Sequence, residues 1–193
     1  IYLLKEHLES QNRLGVFRLV QFHREYSYQD FMEGYEPTEQ GFKPKEGVFK
    51  KFLIEVDEAK IAQPQRPPDV IDIFAIDEIN RADTSSVFGE LMILLDDPDV
   101  RAVQLARSNN PLSLPSSVVI VGTMNTADKS IALIDFALRR RFSFVFVPPD
   151  YERMTAWLNE FGFAFTEFTI EDYVQAAQAL NTRIARHPLL GKS

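Results

Sequence analysis

The run at 71–76 (IDIFAI) ends on Asp77-Glu78, and few patterns restrict a fold as tightly. A short, mostly apolar segment with a proline-rich break upstream and two carboxylates downstream describes a strand buried on both faces, the habit of parallel sheets covered by helices. Such a strand delivers its last residues to the C-terminal edge of the sheet, where α/β folds hold ligands. Two carboxylates there can divide labour. Asp77 can hold the water shell of Mg2+ on nucleotide phosphates, and Glu78 can orient and deprotonate an attacking water. An acidic strand end is common by itself, so the weight rests on what surrounds it.

Other strands read from the same kind of pattern. Residues 16–22 (VFRLVQF) alternate as a strand, 118–121 (VVIV) form a second buried strand, and 142–147 (FSFVFV) a third, ended by Pro148-Pro149. The second buried strand runs into Gly122-Thr123-Met124-Asn125. The Asn125 amide can fix the same water or a phosphate oxygen without disturbing the charge balance of a metal. Helix signals lie between the strands. Residues 1–10 fit the tail of a helix, and Ser27 can cap a helix carrying Tyr28, Phe31 and Met32. Thr84 or Asp83 can cap one whose apolar face is Val87, Leu91, Leu94 and Leu95. Asp128 or Ser130 opens another through Leu133, Ile134 and Leu138, and two more fall near 151–161 and 170–185. Residues 38–47 are polar and read as a loop. Residues 63–69, with Pro64, Pro67 and Pro68, form a break. Residues 97–114 are turn-rich, with room for a hairpin around 103–105 and a turn at Asn109-Asn110-Pro111. Strand–helix alternation predicts a doubly wound α/β sheet over 1–149, followed by a small helical unit from 150 to 193.

The run Arg139-Arg140-Arg141 closes the helix after Asn125. Cations are favourable at a helix C-terminus, but three in a row cannot all face one side. At least one points outward, where its planar donor fork can reach the γ-phosphate of a neighbouring subunit. Arg139, nearest the helix body, is the first candidate for a local ion pair. Asp128 and Lys129 are placed to pair locally and to organise the loop after Asn125.

Composition bounds the alternatives. The 193 residues are 45% hydrophobic, with sixteen Phe, enough for one main domain and a smaller appendage. With 21 Lys and Arg against 28 Asp and Glu, the net charge opposes binding of nucleic acid over the whole surface, though not a basic loop inside a ring pore. The absence of cysteine excludes disulfides and thiolate chemistry. No apolar run approaches the roughly 18 residues of a spanning helix, and the N-terminus has no signal-peptide pattern. A cytoplasmic location is the expectation. No GxxxxGKS or GxxxxGKT occurs. The terminal Leu190-Gly191-Lys192-Ser193 lacks the upstream glycine and room for a following helix. The natural polypeptide is expected to be longer, and this stretch alone to be inactive.

Three stretches carry a resemblance: QFHREYSYQDFMEGYEP at 21–37, IFAIDEINRADTSSVFGELMILL at 73–95, and VVIVGTMNTADKSIALIDFALRRRFSF at 118–144. They resemble the McrB-like branch of the AAA+ superfamily, the nucleotide-hydrolysing motor subunits of McrBC modification-dependent restriction systems. The resemblance covers nearly the whole chain, and MNTADKS is its most specific part. It implies an AAA+ P-loop NTPase-type sheet over 1–149, incomplete at its N-terminus, with the phosphate-loop segment absent from this chain. A helical lid would begin at 150 and be incomplete at its C-terminus. Walker B falls on Asp77 and Glu78, with Asp77 on the Mg2+ side and Asn80 and Arg81 shaping the site edge. Sensor 1 falls on Asn125, Asp128 joins the nucleotide-binding set, and Arg140 and Arg141 act across the subunit interface. The family has Arg where this chain has Lys129, which keeps the charge and loses the fork. The implied activity is hydrolysis of GTP or ATP with Mg2+ by a homo-oligomeric, hexameric ring. That ring would drive DNA translocation and cleavage with an McrC-like nuclease subunit, on modified DNA recognised by a domain outside this chain. The competing readings are an McrB-like ATPase with another remodelling role and a non-hydrolysing structural ring component.

Overall fold

The structure, a computed structural model, describes residues 1–97, 99–125, 136–162 and 167–187. The chain forms two compact units, Ile1–Ser143 and Phe144–Ser193.

The first unit is built on a parallel sheet of three strands in the order β1-β4-β7: β1 Leu14–Gln21, β4 Ile71–Asp77 and β7 Val118–Gly122. Gln21 pairs with Asp77 and Ile76 with Gly122, so the C-terminal ends of all three strands lie side by side. Alternation along β4 divides the core in two. Ile73 and Ala75 face Leu8 of helix α1 (Tyr2–Ser10), together with Phe17, Leu19 and Val121. Phe74 and Ile76 face the opposite side, onto helix α3 (Val48–Ala62) and a large aromatic cluster. Helices therefore cover both faces, as the sequence pattern requires of an α/β fold with a parallel sheet.

Phe31 is the hub of that cluster. It lies at the end of the short helix α2 (Tyr28–Phe31), which Ser27 opens by donating its backbone N–H and Oγ to the Asp30 carboxylate at 3.1 and 2.7 Å. The Phe31 ring is stacked between Phe49 and Phe88, each 5.0 Å away, and meets Phe22 and Phe74 edge-on. These offset and T-shaped geometries are the ones aromatic quadrupoles favour.

Two excursions leave the sheet. Between α2 and α3, strands β2 (Glu33–Thr38) and β3 (Gly41–Glu46) form an antiparallel hairpin. The sequence pattern predicts a loop over 38–47 because the stretch is polar and punctuated by Gly and Pro, yet residues 41–46 pair as a strand. The ribbon is anchored at its base by the buried Glu33. That carboxylate accepts from the backbone N–H of Arg107 (3.2 Å) and Ser108 (2.9 Å) and from Lys50 Nζ (3.4 Å). Burial alone would raise its pKa, but the Ser108 and Lys50 hydrogen bonds bring it below the ordinary carboxylate value. The second excursion holds the expected hairpin, β5 (Val103–Gln104) against β6 (Pro111–Leu112), with Asn109 in its turn.

Two other expectations are corrected. The helix predicted after Asp83 is two pieces, α4 (Thr84–Phe88) and α5 (Leu91–Asp96), separated by Gly89 at φ +51°. The Tyr28 ring takes the space there, and a Cβ on residue 89 would lie 2.6 Å from its Cε2. Residues 142–147 form no strand. A strand exists only through a ladder partner, none is found for them among the described residues, and Val145, Phe146 and Val147 stand more than four-fifths exposed. Strand β7 is also less enclosed than its sequence implies, since Val119 is exposed.

The second unit contains α7 (Tyr151–Glu160), capped by Asp150, and α8 (Ile170–Arg186), capped by Thr169 with Asp172. Among the described residues no helix is long and apolar enough to cross a membrane, and no cluster of three metal-ligating side chains is found.

Because Phe31 touches four other rings, Phe31→Ala should cost about 3–5 kcal/mol of stability, read as a lowered urea midpoint by circular dichroism. A loss under about 1 kcal/mol, the range of a tolerated core swap, would contradict its central role.

Candidate functional site

The site is assembled from strand ends. Asp77 closes β4 and is held from both neighbours: Gln21 Nε2 of β1 lies 3.3 Å from Oδ2, and the Thr123 hydroxyl donates to Oδ1 at 2.5 Å. Backbone bonds continue the junction, from Phe22 N to the Asp77 carbonyl (2.9 Å) and from Thr123 N to the Ile76 carbonyl (2.8 Å).

Glu78 then leaves the strand in the left-handed region, at φ 55° and ψ 46°. Among the described residues Asn12, Glu78 and Asn109 are the non-glycine positions with positive φ. Asparagine tolerates that region by local hydrogen bonding, whereas glutamate has no such relief, and the strain is about 1–2 kcal/mol. The turn reverses the chain into a 3-10 helix, Ile79–Arg81, and Ile79 N is caught by the Thr123 carbonyl at 2.9 Å. Gly122 lets the two segments approach, since a Cβ there would come 2.9 Å from Ile79 Cδ1.

The turn brings Glu78, Asn80 and Arg81 together. Arg81 Nε stands 3.3 Å from Glu78 Oε2 as an i,i+3 ion pair. Among the described residues Glu78 Oε2 has no hydrogen bond beyond this ion pair, and Asn80 Oδ1 is a buried acceptor without a donor. Buried oxygens normally have partners, and these two acceptors beside an anchored aspartate suit a hydrated cation and an ordered water. The donor set is all oxygen, as Mg2+ prefers.

Asn125 lies three residues past the end of β7, exposed, with Met124 packed onto the core behind it. Asp128, Lys129 and the opening of the following helix fall outside the described residues, as does the terminal 191–193 segment. The arginines close α6 (Phe136–Arg139). Arg139 and Arg140 are exposed, while Arg141 turns inward to pair with Asp96 and to donate through Nε to the Met92 carbonyl at 3.0 Å. Arg141 thus makes an inward ion pair, a role the sequence reading offered first to Arg139. Against Phe22, burial and then Asp30 push the Tyr26 hydroxyl up to about 12.

Sequence reasoning missed Gln21 and Thr123. Thr123 was visible as a hydroxyl one residue past an apolar strand, but only the register of β7 against β4 shows which carboxylate it meets.

Comparison with known proteins follows the same residues. The profile of the AAA domain of the dynein-related subfamily matches residues 3–142. The EcoKMcrB subunit of the type IV methyl-directed restriction enzyme of Escherichia coli K12 is 45% identical over 141 residues, covering 69% of this chain and 29% of that protein. The YdiS component of the type II restriction enzyme BsuMI of Bacillus subtilis 168 is 35% identical over 138 residues, covering 63% of this chain and 37% of that protein. A crystal structure of a candidate ATPase from Cytophaga hutchinsonii is 14% identical and covers 93% of this chain and 50% of its own, with a TM-score of 0.49. The chain thus spans well under half the length of either restriction relative.

The strain at Glu78 is testable without any ligand. Glu78→Gly removes the Cβ clash, so stability should be unchanged or raised by up to about 1 kcal/mol, read as the melting temperature in nucleotide-free buffer. A clear drop would mean that the side chain, not the turn, stabilises this segment.

Proposed function

The chain belongs to the AAA domain family, in its dynein-related subfamily, and from that premise we propose that it carries the hydrolytic centre of an McrB-type nucleoside triphosphatase acting on GTP or ATP. The observation that carries this reading is the strained, clamped turn that sets Glu78, ion-paired with Arg81, directly after the anchored Asp77. Proteins retain such strain where geometry serves chemistry.

In this reading Asp77 faces the Mg2+ that accompanies the nucleotide, which when bound neutralises charge on the phosphates. Glu78 orients the attacking water and takes its proton. Arg81 holds the Glu78 carboxylate from one side, and Asn80 Oδ1 offers an acceptor to the same water or its neighbour. Asn125 fixes the phosphate or the water from the end of β7, and Asp128 organises the loop beyond it. Arg140, exposed and without a partner among the described residues, is the better placed of the two predicted arginines to reach a neighbour. Arg141 supports the segment from behind through Asp96. An arginine acting across a boundary requires a ring, which we take as a homo-hexamer. The α/β core runs over 1–149, with a helical lid from 150.

Both restriction relatives support the larger assignment, one as a subunit and one as a component of a restriction enzyme. We assign the ring to DNA translocation in the cytoplasm, with an McrC-like nuclease partner and modified DNA recognised by another domain. Residues 1–193 contain no phosphate loop, so on this reading they hydrolyse nothing by themselves.

In the full-length protein, Glu78→Gln should keep Mg2+-dependent nucleotide binding and slow turnover about 100-fold or more. Near-normal turnover would remove Glu78 from the role of base.

The arginine assignment is tested by mixing full-length Arg140→Ala subunits with Glu78→Gln subunits, after sizing confirms that each assembles with nucleotide. Some interfaces in mixed rings join an intact Glu78 to an intact Arg140, so part of the lost activity should return. Assembled mixed rings without recovery would make Arg140 a residue of its own subunit's structure.

A further inference from the structure

Thr123 uses every polar atom it has on the turn that carries the two carboxylates. Its N–H donates to the Ile76 carbonyl at 2.8 Å, and its carbonyl accepts from Ile79 N at 2.9 Å. Its hydroxyl donates to Asp77 Oδ1 at 2.5 Å and accepts a longer bond, 3.4 Å, from Glu78 N. A hydroxyl has one proton to give, and here it goes to the carboxylate, leaving a lone pair for the Glu78 N–H.

We infer that Thr123 is a positioning residue for metal binding at Asp77, an inference that rests on the nucleotide reading above. A free aspartate carboxylate rotates about its last torsion. Bonding Oδ1 to a hydroxyl fixed by its own backbone stops that rotation and leaves Oδ2, whose contact among the described residues is the long one from Gln21, to face a hydrated cation. The second bond of the same hydroxyl steadies the N–H of Glu78, so one side chain holds the Asp77 carboxylate and the backbone that carries Glu78. Groups that orient a metal-facing carboxylate typically govern metal affinity by about 10–100-fold, although they touch neither metal nor substrate.

The test uses the full-length protein with Thr123→Val, which keeps the shape and removes the hydroxyl, and Thr123→Ser, which keeps the hydroxyl. Mg2+ is titrated against equilibrium binding of a fluorescent GTP or ATP analogue and, separately, against turnover. Thr123→Val should need about 10-fold more Mg2+ for half-saturation in both. Its nucleotide affinity in EDTA and its melting temperature should stay near wild type, and Thr123→Ser should restore the Mg2+ requirement. A wild-type Mg2+ requirement in Thr123→Val, a defect that serine does not rescue, or a Thr123→Val protein that fails to fold would each overturn the assignment and leave Thr123 a structural tie. A wild-type protein with no Mg2+-dependent nucleotide binding would instead overturn the reading beneath it, and this inference with it.

Discussion

Everything else in the first unit depends on β4 being closed on both faces. Ile73, Phe74, Ala75 and Ile76 are all at most 1% exposed, two against the α1 side and two against the aromatic cluster. A strand so enclosed can offer polar groups only at its ends. At its start, Asp72 is fully buried and is satisfied by Arg66, Ser117 and the Val16 backbone N–H. That carboxylate is consumed by structure, because a buried charge deprived of its partner costs several kcal/mol, about 3–5. At the other end, Asp77 and Glu78 emerge together where β1 and β7 also stop. The same hydrophobic constraint that makes the strand thus selects which carboxylates are available for chemistry.

The elements legible in the sequence are those whose cause is local. The apolar runs of β1, β4 and β7, the caps at Ser27 and Asp83, and the amphipathic helices α7 and α8 each announce themselves within a few residues. What escaped detection depends on a distant partner. The hairpin of β2 and β3 is hidden by its prolines and held by Glu33, whose donors lie at Arg107 and Ser108. The break at Gly89 is set by the ring of Tyr28, far away in sequence. The FSFVFV run has strand composition, yet composition cannot supply a neighbour to pair with. At the site, Asp77 and Glu78 could be read from one strand, while the part of Thr123 required two strands in register.

The turn at Glu78 shows why the site needs more than its two carboxylates. Left alone, a left-handed glutamate would relax into an ordinary conformation, moving its carboxylate away from Asp77. Three features oppose this. Gly122 permits close approach, Thr123 binds the segment on both sides of the turn, and the 3-10 helix beyond it is closed by Arg81 N to the Glu78 carbonyl at 2.9 Å. Each hydrogen bond contributes about 0.5–1.5 kcal/mol net, so a few together exceed the strain of about 1–2 kcal/mol. The strained conformation is therefore over-determined by its surroundings, the condition under which such outliers persist.

The arginine run obeys the same logic of partners. Sequence alone could say only that three consecutive cations cannot share one direction. Asp96 is the last residue of α5 and the Met92 carbonyl lies a turn before it, and Arg141 bridges the two at 8% side-chain exposure. With Arg141 committed inward, the chain direction leaves Arg140 on the surface. The commitment has a mechanical consequence. Helix α5 follows the Asp77–Glu78 turn through the 3-10 helix and α4 within the same unit, so the arginine segment is fastened to the element that leads away from the carboxylates. The reach proposed for Arg140 across a subunit boundary would therefore start from a frame tied to its own site through Arg141 and α5.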